Sequence, residues 1–309
     1  MYRNYVIFPF NFGKINNKVL LTGMAGDFIF LTQNEFNKFV LHKLNTSSET
    51  YQNLKSKQLV ADSKEEILRN IDMTATRYRS KKGFLKDFTA LHMMVITVRC
   101  NQKCRYCQVS CEDETAKQYD MTPEIAHHII DFIFKTPSDS IKIEFQGGEP
   151  LLNWNTIENS VLYAENQNRK YNKKLEFVIC SNITSDIKCR LSFIKEHNIT
   201  ISSSLDGSEE IHNKCRVYKN KSGTYDKFIE NLQLCREVCG KDSIDALMTT
   251  TTYSLDKIEN IIDEYITNGF DGIFLRALNP YGFAEENKKE IGYSADDFFL
   301  CIKKRLNIF

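Results

Sequence analysis

Two patterns of hydrophobic and polar positions divide the chain near residue 88. Before it, short strand-like runs separated by turns fill residues 4–32, and helix-like segments follow. Beyond it, apolar runs alternate with amphipathic segments of helical period. Strand–helix alternation predicts parallel strands joined by right-handed crossovers. We therefore predict a small N-terminal α+β domain, residues 1–88, and an α/β domain, residues 89–309. We predict that the second domain forms a partial (β/α)6 TIM-like barrel; an open doubly wound sheet is the alternative.

The barrel elements follow from the same pattern. The predicted strands are residues 92–98, 140–146, 175–181, 199–205, 243–251 and 272–278. The predicted helices are residues 122–135, 155–171, 185–198, 225–238 and 255–268. The strands are apolar on nearly every residue, which is typical of strands covered on both faces. Thr122 is the predicted N-cap of the first helix, with Pro123 at its first position. One face of that helix holds Ile125, Ala126, Ile129, Ile130 and Ile133.

Composition narrows the classes of protein that fit. The 41 Lys and Arg nearly balance the 40 Asp and Glu, so a nucleic-acid substrate is disfavoured. The N-terminus lacks a secretory cleavage site, and no apolar run reaches the length of about 18 residues that a membrane helix needs. We expect a soluble cytoplasmic protein without a membrane partner. The chain has ten cysteines, and in a reducing compartment clustered cysteines favour metal binding over disulfides.

Cys100, Cys104 and Cys107 have the spacing C-x3-C-x2-C and follow the predicted strand 92–98. Active residues of β/α barrels lie on loops at the carboxyl ends of strands. Three thiolates there can hold three irons of a [4Fe–4S] cluster and leave the fourth iron open. A structural zinc site is the alternative, with Cys111, His127 or His128 as fourth ligand. In the cluster interpretation, Cys111 is a bystander.

The cysteine spacing, with Tyr106 before the third cysteine, resembles that of radical S-adenosylmethionine (SAM) enzymes. The motifs QGGEP at 146–150 and SLDG at 204–207, followed by Arg216, match this family in order. The resemblance implies a [4Fe–4S] cluster and SAM as cofactors. It also implies reductive cleavage of SAM, with a 5′-deoxyadenosyl radical that abstracts hydrogen from the substrate.

The same resemblance implies the roles of further residues. Glycines at a strand end allow close approach of backbone to a ligand. A hydroxyl can bond a ribose, and a guanidinium can bind a carboxylate through two hydrogen bonds. The implied SAM-site residues are Tyr106, Gly147, Gly148, Glu149, Ser181, Ser204, Asp206, Arg216 and Leu278. Ser181 at the end of a strand is equally compatible with helix capping, and Leu278 with ordinary core packing.

Residues 8–36 and the loop 104–110 resemble the His-Xaa-Ser system radical SAM maturases, within the peptide-modifying branch that includes the anaerobic sulfatase-maturing enzymes. This implies a ribosomally made precursor peptide as substrate and an electron donor such as flavodoxin or ferredoxin. Residues 1–88 resemble a winged-helix-like peptide-docking domain, which captures a peptide by strand addition. A structural cap on the barrel is the alternative role for this domain.

Maturases of this branch continue into a cysteine-rich domain that holds auxiliary clusters. Here Cys301 is solitary near the end at Phe309, so we expect that domain to be absent from this chain. Two other functions stay open: a radical SAM enzyme acting on a small molecule, and a shortened, non-catalytic iron–sulfur docking protein. The sequence assigns no residue to substrate-side catalysis.

Overall fold

A computed structural model describes residues 5–306, with side chains described through Lys303. The chain divides into two compact units, with the boundary between Phe88 and Thr89. None of the helices in the described part of the chain has the length and apolar character needed to cross a bilayer.

The first unit contains a three-stranded antiparallel sheet in the order β2-β3-β4 and a separate β1–β5 pair. Its elements are β1 Val6–Ile7, β2 Phe10–Ile15, β3 Lys18–Gly23, β4 Phe28–Thr32, α1 Gln33–Val40, α2 Glu49–Ser56, β5 Val60–Ala61 and α3 Lys64–Lys81. The first of the strand-like runs predicted over residues 4–32 begins outside the described residues. In the described part, β1 and β2 lie on either side of Pro9, which has no N–H to give to a ladder. Leu21, Phe39 and Leu54 form part of the core of this unit.

The second unit alternates strands and helices. Its elements are β6 Leu91–Thr97, α4 Pro123–Ile133, β7 Ser140–Gly147, α5 Trp154–Tyr171, β8 Lys174–Cys180, α6 Leu191–Glu196, β9 Thr200–Ser204, α7 Glu209–Cys215, α8 Tyr225–Cys239, β10 Ile244–Thr249, α9 Ile258–Thr267, β11 Phe274–Arg276, α10 Phe283–Glu286, α11 Lys288–Ile291 and α12 Ala295–Leu306. The six strands β6 to β11 are parallel and neighbour one another in chain order. The partial (β/α)6 barrel is thereby confirmed.

The two faces of this sheet differ in character. One face is a continuous apolar core under the helices, which includes Ile143, Ile179 and Met248. On β7 and β9 the other face carries polar side chains at alternate positions, among them Glu144 and Ser202, and faces a cavity. The prediction that both faces are covered by apolar packing is therefore wrong for the inner face.

Helix α4 shows how local signals set an element. Thr122 caps it as predicted, with its hydroxyl accepting from the Ile125 N–H at 3.4 Å. The buried row is Ala126, Ile130 and Ile133, spaced to lie on one side of a helix. Ile125, predicted on the apolar face, is 51% exposed, because it precedes Ala126 by one residue and so points about 100° away.

Candidate functional site

A cavity of about 290 Å³ opens at the carboxyl ends of the parallel strands. Nine of the twelve predicted site residues line it: Cys100, Cys104, Tyr106, Cys107, Gly147, Gly148, Ser181, Ser204 and Arg216. The other three, Glu149, Asp206 and Leu278, lie outside its lining. The fold thus brings residues from five separate segments to one mouth of the barrel.

The loop after β6 carries the predicted cluster cysteines and is fastened by the rest of the barrel. The N–H of Lys103 donates to Val217 O at 2.8 Å, and that of Arg105 donates to Cys215 O at 2.9 Å. From the segment after β11, the Phe283 N–H donates to Cys107 O at 2.9 Å. Backbone contacts from two other segments therefore fix the loop without using the thiols.

Arg99, to which the sequence assigned no role, holds the base of this loop. It is 4% exposed, and its Nη2 lies 2.7 Å from Asp120 Oδ2. The Arg99 Nε donates to the other oxygen of Asp120, also at 2.7 Å. This two-point ion pair joins the start of the loop to its end, just before α4.

Four thiols of the loop after β6 line the cavity, where the sequence predicted three. Cys111, interpreted as a bystander, lines the cavity and is hydrogen-bonded with Cys100 and Cys107. Its bond with Cys100 is the main cause that raises the pKa of Cys111 to about 11. Burial raises the pKa of Cys104 to about 12, although the neighbouring Arg216 guanidinium opposes this.

The thiol arrangement bears on which metal group fits. Among the residues that the structure describes, no three His, Cys, Asp or Glu side chains converge closely enough to hold a single metal ion. His127, a candidate zinc ligand, instead stacks on Tyr163 with ring centroids 4.0 Å apart. Three or more sulfur donors around a cavity wider than one ion suit a polynuclear iron–sulfur cluster better than a zinc ion.

Close backbone contacts leave no room for a side chain at Gly147 or Gly148. A Cβ on Gly147, whose φ is +137°, would lie 1.9 Å from Thr97 O. A Cβ on Gly148 would lie 2.1 Å from Arg99 O. The absence of side chains lets the Gly148 N–H donate to Thr97 O at 2.8 Å. The glycine pair therefore allows the end of β7 to pack directly against the base of the cysteine loop.

Glu149 is fully buried behind the cavity wall. Its carboxylate accepts from the Ser181 hydroxyl at 2.8 Å, the Asn182 N–H at 2.8 Å and the Leu151 N–H at 3.0 Å. Burial raises the pKa of Glu149, and these three hydrogen bonds act in the opposite direction. In this arrangement Glu149 joins the ends of β7 and β8 and orients Ser181; direct contact with a cofactor stays a prediction.

Tyr106, Asp206 and Arg216 form one connected group. The Tyr106 hydroxyl donates to Asp206 Oδ2, and Arg216 Nε lies 3.2 Å from the same oxygen. The Arg216 guanidinium also sits over the Tyr106 ring, 5.3 Å from its centroid. Asp206 is 1% exposed, so it supports Arg216 from behind while the guanidinium lines the cavity.

His212, to which the sequence assigned no role, lies behind this group and binds the backbone of Asp206. It is 1% exposed, and its Nδ1 accepts from the Asp206 N–H at 3.4 Å. Its Nε2 lies 3.1 Å from the Thr224 hydroxyl. Burial, with the Arg216 charge nearby, holds the pKa of His212 well below its ordinary value of 6.5.

Leu278 lies apart from the cavity lining. It packs against the buried cluster of Tyr106, Cys215, Ala284 and Ile291, and its N–H donates to the Tyr293 hydroxyl at 2.8 Å. Its packing on an adenine stays a prediction.

Sequence reasoning missed a set of polar residues on the inner wall of the barrel. The cavity is also lined by Glu144, Gln146, Cys180, Ser202, Thr249 and Arg276. The available signal was their spacing: polar residues at every second position within otherwise apolar strands face away from the core.

Comparison with known proteins agrees with this site. The family model described as the Radical SAM superfamily matches residues 94–265, more than half of the chain. The chain belongs to the Radical SAM superfamily, a family of enzymes that use a [4Fe–4S] cluster and SAM. The three predicted cluster cysteines, the glycine pair and Arg216 all lie within the matched residues.

Curated relatives include a cyclopropyl synthase and a sulfatase-maturating enzyme. The chain is 28% identical over 225 residues to the radical SAM cyclopropyl synthase TigE of Paramaledivibacter caminithermalis, covering 67% of this chain and 45% of that protein. It is 29% identical over 168 residues to a cysteine-type anaerobic sulfatase-maturating enzyme of Clostridium novyi, covering 52% and 44%. The chain thus spans about half the length of these relatives.

Solved structures share the fold. Native anSMEcpe with bound AdoMet has a TM-score of 0.55 at 21% identity and covers 61% of this chain and 51% of that chain. Streptococcus suis SuiB bound to precursor peptide SuiA has a TM-score of 0.56 at 14% identity and covers 99% and 69%. The likeness extends to the radical SAM fold.

Proposed function

We propose that this protein is a peptide-modifying radical SAM enzyme of the maturase type, similar in function to the His-Xaa-Ser maturases. The observation that carries the proposal is the single cavity lined by the three spaced cysteines, the glycine pair and Arg216. A cluster held by these cysteines and reduced by one electron from a donor would supply the reductive cleavage of SAM, to methionine and a 5′-deoxyadenosyl radical that would abstract hydrogen from the substrate.

The residues of the chain then have separate tasks. Cys100, Cys104 and Cys107 would hold three irons as thiolates and leave the fourth open to SAM. Arg216, kept in place by Asp206 at 3.2 Å, offers a guanidinium to the carboxylate of SAM. Ser204, at the end of β9, offers a hydroxyl to the ribose. Positioning and exclusion of water are the contributions of the protein.

The proposed substrate is a ribosomally made precursor peptide, and the proposed electron donor is a flavodoxin or ferredoxin. Peptide and protein modification by the relatives supports the first of these. Within the first unit, β2 and β4 are edge strands of a three-stranded sheet. An edge strand can pair with an extended peptide, so we assign precursor docking to residues 1–88.

The test is anaerobic reconstitution with iron and sulfide, followed by SAM and dithionite. We expect a [4Fe–4S] absorbance and electron paramagnetic resonance signal, and formation of 5′-deoxyadenosine. Cys107→Ala should lose cluster and product together. Cys239→Ala is the matched control, because Cys239 is half-buried on α8 and does not line the cavity. A loaded cluster without 5′-deoxyadenosine would refute the proposed chemistry.

The loaded protein also separates peptide from small-molecule substrates. Incubation with a candidate precursor peptide should change the mass of that peptide only when SAM and reductant are present. An unchanged peptide, with 5′-deoxyadenosine still formed, would favour a small-molecule substrate.

A further inference from the structure

Cys180 and Glu144 form a thiol–carboxylate pair on the inner wall of the barrel. The Cys180 thiol, at the last residue of β8, donates to Glu144 Oε1 on β7 at 2.7 Å. The Gln146 amide donates to the same oxygen, also at 2.7 Å. All three side chains line the cavity that holds the four cysteines of the β6 loop. The pair belongs to the cavity, and no role assigned above uses it.

The environment keeps this thiol protonated. Burial is the main cause that raises the pKa of Cys180, and the hydrogen bond with Glu144 raises it further. The S–H bond is therefore present at neutral pH, in contrast to the thiolates that a cluster requires. Cys180 is half-buried, so it is reachable from the cavity without unfolding.

The chemistry of the cavity gives such a thiol a specific use. An S–H bond is weaker than the C–H bonds of unactivated carbon and than O–H or N–H bonds. A carbon radical in the same cavity therefore takes hydrogen most readily from a thiol. Cluster ligands carry no S–H once they bind iron, which leaves Cys180 and Cys111 as the thiols of this wall.

Geometry favours Cys180 over Cys111. Cys111 is engaged with Cys100 and Cys107 and lies in the loop beside the cluster site. Cys180 lies on the strand wall, paired in register with Ser202 of β9, which also lines the cavity. A substrate bound inside the barrel would meet the strand wall and its Cys180.

We propose that Cys180 is a hydrogen-atom donor to carbon radicals formed in this cavity, with Glu144 as the positioning residue that holds its thiol; this rests on the proposed function. In the step, the Cys180 S–H bond breaks and a C–H bond forms at the radical carbon, leaving a thiyl radical on Cys180. One electron from the flavodoxin- or ferredoxin-type donor, or from dithionite in the assay, and one proton from solvent restore the thiol.

The test uses SAM alone as the probe, in thiol-free D₂O buffer with dithionite. Thiol hydrogens exchange with solvent, so a hydrogen atom from Cys180 is deuterium. We expect 5′-deoxyadenosine from the native protein to carry one deuterium at the 5′ carbon. Cys180→Ser keeps a hydroxyl that can bond Glu144 but has the stronger O–H bond, so the deuterium should be lost. Cys239→Ser, outside the cavity, should keep it.

A second measurement needs no turnover. Iodoacetamide labelling of the cluster-loaded protein without reductant is followed by mass spectrometry, with and without S-adenosylhomocysteine. Only a thiolate reacts with iodoacetamide, so we expect the protonated Cys180 to be labelled far more slowly than the exposed Cys189. The nucleoside should slow labelling of Cys180 further and leave that of Cys189 unchanged. Labelling of Cys180 as fast as that of Cys189, or at the same rate with and without the nucleoside, would overturn the inference.

The two proposals fail in distinguishable ways. Absence of 5′-deoxyadenosine from the loaded native protein contradicts the proposed function, and the labelling result then judges Cys180 alone. Unlabelled product from the native protein, or equal deuterium in the product of Cys180→Ser, overturns the assignment of Cys180 and leaves the proposed function intact.

Discussion

Gly148→Ala provides a sharp test of how the site is built. The added Cβ would lie 2.1 Å from Arg99 O and 2.8 Å from Val98 O, both of them backbone atoms. Neither atom belongs to a side chain that can rotate away. The end of β7 and the base of the cysteine loop must therefore move apart.

The cost follows from what that movement breaks. Separation disrupts the hydrogen bond from Gly148 N–H to Thr97 O, 2.8 Å long, and that from Glu149 N–H to Arg99 O, 2.7 Å long. Each such bond contributes about 1 kcal/mol net, and overpacking of a filled interior costs about 1–3 kcal/mol. We expect a total loss of about 3–5 kcal/mol in the free energy of unfolding. For a unit of this size that lowers Tm by roughly 6–20 °C.

The assay pairs thermal unfolding with iron content after anaerobic reconstitution. We expect Gly148→Ala to lower Tm and to reduce the iron bound per chain, because the displaced loop carries Cys100 and its neighbours. Gly272→Ala is the matched control in the same unit. Its Cβ would meet nothing within 4 Å, so Tm and iron content should stay at the native values.

Two results would refute this account. A Gly148→Ala protein with native Tm would show that the strand end and the loop are not in the contact described. A protein with lowered Tm but full iron content would show that the position of the loop base does not control the cysteines.

Two other predictions concern the group behind Arg216. Asp206→Asn leaves the Arg216 guanidinium without its charge partner, which costs about 3–5 kcal/mol for a buried pair; urea unfolding measures it. Asp271→Asn, which breaks an exposed pair with Lys241 at 2.7 Å, should cost less than about 1 kcal/mol, and equal losses would contradict the burial of Asp206. Because the folded protein holds His212 neutral, the unfolded chain alone takes up its proton below the ordinary pKa of 6.5, so stability falls as pH drops below that value. At pH 5 this loss is at most about 2 kcal/mol; in His212→Asn it should disappear, and an unchanged pH profile would count against a neutral buried imidazole.

The arrangement of the parallel strands was predictable because it depends on local pattern. Periodic apolar runs mark each strand and helix, and consecutive strands of a strand–helix alternation are usually neighbours in the sheet. The position of the three cysteines after β6 follows from the same alternation. Thr122 is a similar case, since a cap depends on residues within one turn of it.

The apolar face of α4 and the inner wall of the barrel were less well predicted. Periodicity identifies the buried face of a helix to within about one residue. Ile125 lies at the edge of the predicted face and is exposed in the structure. The strands were interpreted as apolar on nearly every residue, although Glu144 and Ser202 interrupt them. Which face of the sheet encloses a cavity depends on the curvature of all six strands together.

The sequence by itself determined the order of strands, the cysteine spacing and the family motifs, because each depends on residues close together along the chain. Only the tertiary structure decided which side chains touch the cavity and which stand behind it. Tyr106 and Asp206 are 100 residues apart in sequence, and Glu144 and Cys180 are 36 apart. Contacts at such separations depend on strand register and loop packing, which no local pattern encodes.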